Sequence, residues 1–275
     1  MKATFHRGEL QAQRLAGQVA AGHGIRDFMP DQHRLFFEAL PFVLLASAAP
    51  DGAPRAQVLH GAPGFIGSPD PLTLVFECDS DLAPGAPVGL LGIDFATRRR
   101  NRANGAVRSN AGGALVIEVR ESFGNCPRHI TLREVEGAPQ TPQPPRAFAG
   151  LHEAARAIVA AADTFFVASS GGGHGLDISH RGGPAGFARL DGDTLVIPDF
   201  SGNRYFNTLG NLLLDARAAL LFIDFAAGDV LTLAGTVAIS WQDGMRAWRF
   251  DCAVGVLARG ALPLRWHARQ PESSG

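Results

Sequence analysis

The sequence predicts a mainly β protein with flanking helices, built as two tandem barrel-like repeats related by a pseudo-two-fold axis. Three observations lead there. Short apolar or alternating runs recur, each bounded by Gly, Pro, Asp or Asn, which is how strands are punctuated. The stretch APVGLLGIDFATRRRNRANGAV (86–107) returns as ARAALLFIDFAAGDVLTLAGTV (216–237), and Ala86, Leu90, Leu91, Ile93, Asp94, Phe95, Ala96, Gly105 and Val107 recur at one fixed offset. Between the copies lies EGAPQTPQPPR (136–146), whose prolines favour an extended connection. A repeat unit this long is a duplicated domain and not a solenoid turn. Two copies of one fold in one chain pack as the halves of a two-fold dimer do.

The elements follow in order. Residues 1–40 read as a helical segment interrupted by Gly and Pro, with PDQHRLFFEAL as one short helix that starts at Pro30 and Asp31 and turns Leu35, Phe36 and Leu40 to one face. The first repeat spans 41–135 with FVLLASA, PRAQVLH, LTLVFE, VGLLGIDF and GALVIEV as strands, and APDGAP (49–54) as a hairpin turn, since Asp-Gly accepts positive φ. Residues 136–149 form the linker. The second repeat spans 150–262: a helix in LHEAARAIVAAA, then strands in TFFVASS, LDISH, TLVIP, ALLFIDF and VLTLAGTVAIS. Residues 263–275 are a C-terminal tail. Upstream of the strongest repeat, VLHGAPGFI answers ISHRGGPAGFA, which makes His60 and His180 counterparts.

Composition narrows the function classes. The chain has 275 residues, 46% of them hydrophobic, and a formal net charge of −1. That is enough apolar residue for a large core, and no global field recruits nucleic acid or an acidic membrane. Lys2 is the only lysine, so an anion site must use Arg, His or backbone N–H groups. Cys78, Cys126 and Cys252 are widely spaced, with no CxxC, as expected in a reducing compartment. No long apolar run suggests a leader or a membrane span. The expectation is a cytoplasmic protein with no nucleic-acid or membrane partner and no metal, acting on a small-molecule substrate or electron donor. A homodimer stays open.

Four stretches carry chemistry. In DISHRGG, Ser179 and Arg181 share one strand face and His180 takes the other. A hydroxyl beside a guanidinium fork suits phosphate, and the glycines that follow let backbone approach a ligand. A polar edge strand leading into a loop is the alternative. In PDFSGNRYFNTLGN a strand ends and a helix should begin at Ser201, Gly202 and Asn203, with Arg204 in its first turn. Helix N-termini bind anions, although an ordinary N-cap explains the same pattern. In TRRRNRANGAVR, Arg100 and Arg102 alternate onto one strand face, where they either reach a ligand between the repeats or sit in solvent. In ESFGNCPRHI, Pro127 suggests a helix start that would acidify the Cys126 thiol, against a plain buried cysteine at a corner. SGGGHG reads as a hairpin turn, lacking the GxGxxG spacing of a dinucleotide loop.

Taken together, SHRGGPAGF, DFSGNRYFNTLGN and ARAALLFIDFAAGDVLTLAGTV resemble the FMN-binding split-barrel superfamily of pyridoxamine 5′-phosphate oxidase-like proteins. The resemblance covers roughly 160–240 well and extends more weakly to 40–135. It implies a split β-barrel that binds FMN between two barrels. Ser179 and Arg181 fall where that family places strand groups toward the flavin phosphate, with His180 between them. Asn203 and Arg204 fall in its Gly-Asn-Arg helix start, and Asn207 and Asn211 follow on the helix. Arg100 and Arg102 would reach the flavin from the first repeat, and Cys126 lies in a segment comparable to one that closes over the ring. The chain departs from the family in lacking the lysine after the phosphate strand and the C-terminal substrate signature of a true pyridoxamine phosphate oxidase. The implied function is an FMN-dependent oxidoreductase whose ring does the chemistry, with no catalytic residue identified. The alternative is a non-catalytic flavin- or haem-binding protein for storage, sensing or stress protection. The SGNRYFNTLGN helix has no counterpart in the first repeat, where CDSDLAPG stands, so one phosphate site is expected and not two.

Overall fold

The computed structural model describes residues 5–202, 204–241 and 246–269. Two helices lead the chain, α1 (Arg7–Leu15) and α2 (Asp31–Glu38). The first repeat then lays down β1 (Phe42–Ala48), β2 (Pro54–His60), β3 (Ile66–Gly67), β4 (Thr73–Glu77), β5 (Pro87–Asp94), β6 (Arg99–Ala111) and β7 (Ala114–Gly124). After β8 (Arg133–Gly137), β9 (Arg146–Ala149) and α3 (Glu153–Ala161) come β10 (Thr164–Ser170), β11 (Leu176–Gly182), β12 (Arg189–Asp191) and β13 (Thr194–Pro198). The chain closes with α4 (Asn207–Leu214), β14 (Arg217–Asp224), β15 (Asp229–Ser240), β16 (Ala247–Ala258) and β17 (Leu264–Ala268).

The strand order is β2-β1-β5-β6-β7-β4-β3 in one sheet and β11-β10-β14-β15-β16-β13-β12 in the other, which is one topology drawn twice. Each repeat is an antiparallel split barrel around its own core. The recurring glycines explain themselves. β6 shifts register between Asn104 and Gly105, and β15 between Ala234 and Gly235. At Gly105 an added Cβ would lie 1.9 Å from the Glu118 carbonyl oxygen, and at Gly235 2.0 Å from that of Asp251. Only glycine permits that approach at a bulge.

Alternation along the central strands builds three cores. On β1, Val43 and Leu45 enter the first barrel, while Phe42, Leu44 and Ala46 join a shared layer. On β10, Phe165 and Val167 enter the second barrel, while Phe166 and Ala168 meet that same layer. Both faces of these strands are buried, so they read as unbroken apolar runs. Each fully buried large aliphatic or aromatic side chain there contributes roughly 1.5–3 kcal/mol. The pseudo-two-fold axis shows in matched contacts. The Arg133 amide donates to the Phe95 carbonyl and the Trp266 amide to the Phe225 carbonyl, and β8 pairs antiparallel with β17.

Four details differ from the sequence reading. The proline-rich connection ends in β9, which adds to β16, and the C-terminal tail carries β17. Leu35 is 66% exposed, whereas Phe36 and Leu40 are buried as expected and Phe37 joins them. His60 and His180 are not counterparts. Leu44 pairs with Leu91 and Val58, whereas Phe166 pairs with Leu221 and His180. Leu91 and Leu221 are repeat partners, so Val58 answers His180, and His60 answers Gly182. The extra residues of SHRGGPAGF therefore lie beyond the strand.

Candidate functional site

Edge strand β11 of the second repeat lies against β5 of the first, and β6, next to β5, reaches it with two arginines. Arg102 donates to an Asp177 carboxylate oxygen at 3.2 Å and to the Ser179 hydroxyl. Arg100 donates to Nδ1 of His180 at 2.6 Å. The Thr208 hydroxyl of α4 donates to that of Ser179 at 2.7 Å. Ser179 thus joins three elements from both repeats.

These contacts border a cavity of about 100 Å³, enough for a phosphate-sized group. Arg100, Arg102, Arg181, Arg204 and Arg246 line it, against one carboxylate, that of Asp199, among the described residues. Asp199 takes Arg181 at 2.9 Å on one oxygen and Arg246 at 2.9 Å on the other, and Asp177 offsets Arg102. Arg100 and Arg204 remain without a carboxylate among the described residues. The buried Nε–H groups of Arg100, Arg102 and Arg181 have no protein partner, and a buried donor left unmade is costly. The amino end of α4 also opens here. Phe206, Asn207, Thr208 and Leu209 line the cavity, and no side chain caps the helix, so free N–H groups and the positive end of the dipole face it.

Charge crowding shows in the titration behaviour. Burial, with Arg102 and Arg181 adding to it, brings the Arg100 guanidinium down to about 10. Burial, then Arg100 and Arg181, holds the His180 imidazole well below its ordinary value. His180 is therefore neutral. Arg100 can only donate, so Nδ1 of His180 is the acceptor and Nε2 carries the proton. That Nε2–H is buried without a partner.

Of the residues expected from sequence, Ser179, His180, Arg181, Arg204, Asn207, Arg100 and Arg102 come together around this cavity. Three expectations are corrected. α4 begins at Asn207, and Arg204 precedes it in left-handed backbone (φ 65°), as does Phe206 (φ 61°). Asn211 turns away from the cavity: its amide donates to Asp177 at 2.9 Å and its oxygen meets His6 at 2.9 Å. No helix follows Pro127. Residues 125–132 form a turn with His129 in left-handed backbone, and Cys126 sits beside Arg100 without lining the cavity. Asn203 lies outside the described residues. The sequence reading missed Asp199, Thr208, Arg246 and Gln18. The first two stand inside the quoted motif and were legible by position; the last two arrive from distant segments with no local signal.

No helix among the described residues is long and apolar enough to cross a membrane, and among them no cluster of His, Cys, Asp and Glu could hold a metal ion. Residues 151–253 match the family model of pyridoxamine 5′-phosphate oxidase. No curated protein matches the chain. Among solved structures, HupZ of Group A Streptococcus is 12% identical, covering 35% of this chain and 93% of its own, with a TM-score of 0.29. A protein from Clostridium acetobutylicum related to general stress protein 26, of the pyridoxinephosphate oxidase family, is 16% identical over 41% of this chain and 89% of its own, with a TM-score of 0.31. An F420 reductase is 16% identical over 34% of this chain and 95% of its own, with a TM-score of 0.25.

Proposed function

We propose that this chain, whose residues 151–253 match the family model of pyridoxamine 5′-phosphate oxidase, is an FMN-binding flavoprotein acting as an oxidoreductase on a small substrate. One observation carries the reading. Arginines of the first repeat and Ser179, Arg181 and the α4 amino end of the second converge on a phosphate-sized cavity lined by buried N–H groups without partners. The donor set fits a phosphate monoester: guanidinium forks, backbone amides and a hydroxyl, with no competing carboxylate left free among the described residues. Arg100, Arg102, Arg181 and Arg204 would hold the phosphate, with Ser179 and Thr208 completing the cradle. FMN, when bound, supplies two-electron redox chemistry. The enclosed volume takes only the phosphate end, so the ring would occupy space outside it.

His180 would offer a fixed N–H donor and not a base, because Arg100 occupies its other nitrogen. The same fact favours a second reading. With His180 held neutral and its acceptor nitrogen taken by Arg100, the protein would carry flavin without turning anything over.

The test is the visible spectrum of the purified protein before and after FMN addition and desalting. Retained flavin supports the reading, and reduction by a nicotinamide donor then separates an oxidoreductase from a carrier. A protein that stays colourless overturns it, and a Soret band would replace flavin by haem. Arg204 is exposed, so Arg204→Ala leaves the core intact and should weaken FMN binding by about 1.5–3 kcal/mol, the worth of a charged hydrogen bond. Unchanged affinity would remove Arg204 from the site.

A further inference from the structure

A second cavity, of about 370 Å³, lies between the repeats beside the first. Arg102 lines the first cavity and Asp177 the second, so their ion pair is part of the partition; Asn207 borders both. Its size falls within the ordinary range for small-molecule sites, and its chemistry is opposite to that of its neighbour. Glu9 of α1 and Asp177 of β11 present carboxylates, Asn104 of β6 an amide, and His6 and His174 a stacked pair of rings 4.9 Å apart.

Glu9 is the feature that needs an explanation. It is 5% exposed, and its carboxylate receives the His6 amide at 2.8 Å and the Asn207 side-chain amide. Among the described residues its one ion-pairing contact is the His6 ring at 3.6 Å, and that ring is neutral. Nδ1 of His6 accepts from the Gly8 amide at 3.1 Å, so Nε2 carries the proton and gives it to Asn211 at 2.9 Å. Burial also lowers the His6 pKa. A buried carboxylate without a cation is expensive. Glu9 answers by holding its proton: burial, with Asp177 adding, raises its pKa to about 7. Asn104 points the same way. Its NH2 donates to Asp177 at 2.7 Å, which fixes the amide orientation and leaves its buried oxygen without a donor. The Glu9 carboxylate and an orphaned amide oxygen want donors and positive charge, whereas Asp177 is already paired with Arg102.

We propose that this cavity binds a small organic cation, a protonated amine whose ammonium pairs with Glu9 and donates to Asn104, and whose apolar body lies along the His6–His174 rings. An ammonium has three donors and no acceptor, which matches what the walls lack. An anion would meet Glu9 and Asp177. A neutral ligand would leave the Glu9 charge unanswered.

The test is calorimetric titration of the full chain with benzylammonium and with benzyl alcohol, which has nearly the same shape and no charge. Benzylammonium should saturate at one site and bind at least about tenfold tighter than the alcohol. Its affinity should rise between about pH 6 and about pH 8 as Glu9 gives up its proton. Asp177, Glu121, His6, His174 and Arg102 also act electrostatically on this region, and Arg120 lines the cavity, so Glu9→Gln decides the assignment: it should bring the amine down to the level of the alcohol and flatten the pH dependence. Gly173→Phe is the second variant. Gly173 lines the cavity, is exposed, and an added Cβ there meets nothing within 4 Å, so the ring should obstruct the site without disturbing the fold. Equal binding of amine and alcohol, unchanged binding in Gly173→Phe, or no binding of benzylammonium overturns the proposal. It does not rest on the flavin reading: a protein that ignores FMN and still binds benzylammonium leaves it standing.

Discussion

Arg102 and Glu9 are both buried and handle charge in opposite ways. Arg102 is 5% exposed and spends its forks on Asp177 and Ser179. Among the described residues Glu9 has no such partner, and the cost appears as proton affinity. Its folded pKa of about 7 lies above the ordinary 4.5, so the folded chain holds this proton more tightly than the unfolded chain does. The resulting stability is full below the unfolded pKa and is lost as pH rises through about 7, by on the order of 3 kcal/mol. Denaturant midpoints measured near pH 5 and pH 8 should fall with pH in the wild type. Glu9→Gln should reduce that fall, and an equal fall in both proteins would assign the loss to other groups. Arg204 shows a different tension. It holds left-handed backbone without being glycine, a strain of about 1–3 kcal/mol found mostly at functional positions. A glycine there would serve the backbone and lose the charge.

At the scale of elements, α1 matters more than its place in the chain suggests. It crosses α4 through a glycine pair. A Cβ on Gly8 would lie 2.2 Å from the Gly210 carbonyl oxygen, and one on Gly210 2.6 Å from the Glu9 Cα. Gly210→Val should cost about 1–3 kcal/mol, the usual penalty of overpacking, and should free the N-terminal segment to limited proteolysis; a stable, protease-resistant variant would show that the crossing adapts. The strands were legible because burial on both faces wrote itself as apolar runs, as in TFFVASS and FVLLASA. The cavity residues on β11 and β6 were legible because DISHRGG and RRRNR put polar groups where core strands do not want them. What could not be read was set by long-range packing. Two left-handed residues, Arg204 and Phe206, delay α4 to Asn207, and neither is of a type that announces positive φ. Asn211 follows Asn207 by one helical turn, yet the docking of α1 draws it to His6. Pro127 starts no helix because the Cys126 segment turns back toward β8, whose partner is β17.

At the scale of the molecule, the two copies of the fold are unequal where it counts. The register places Gln57 opposite Ser179 in the repeat, Leu59 opposite Arg181, Val230 opposite Arg100 and Thr232 opposite Arg102. Leu262 and Trp266 pack into the shared layer around that second location, with Phe42 and Val230. No helix among the described residues answers α4 between β4 and β5. FMN titration should therefore saturate at one per chain; two per chain would mean the apolar copy still binds. The covalent joining of the halves has a further consequence. In a symmetric dimer every substitution is written twice, and a composite site dissolves on dilution because its walls come from separate molecules. Here each wall mutates alone and neither can diffuse away, so the site should stay assembled at any protein concentration, and one half can drift without taking its twin along.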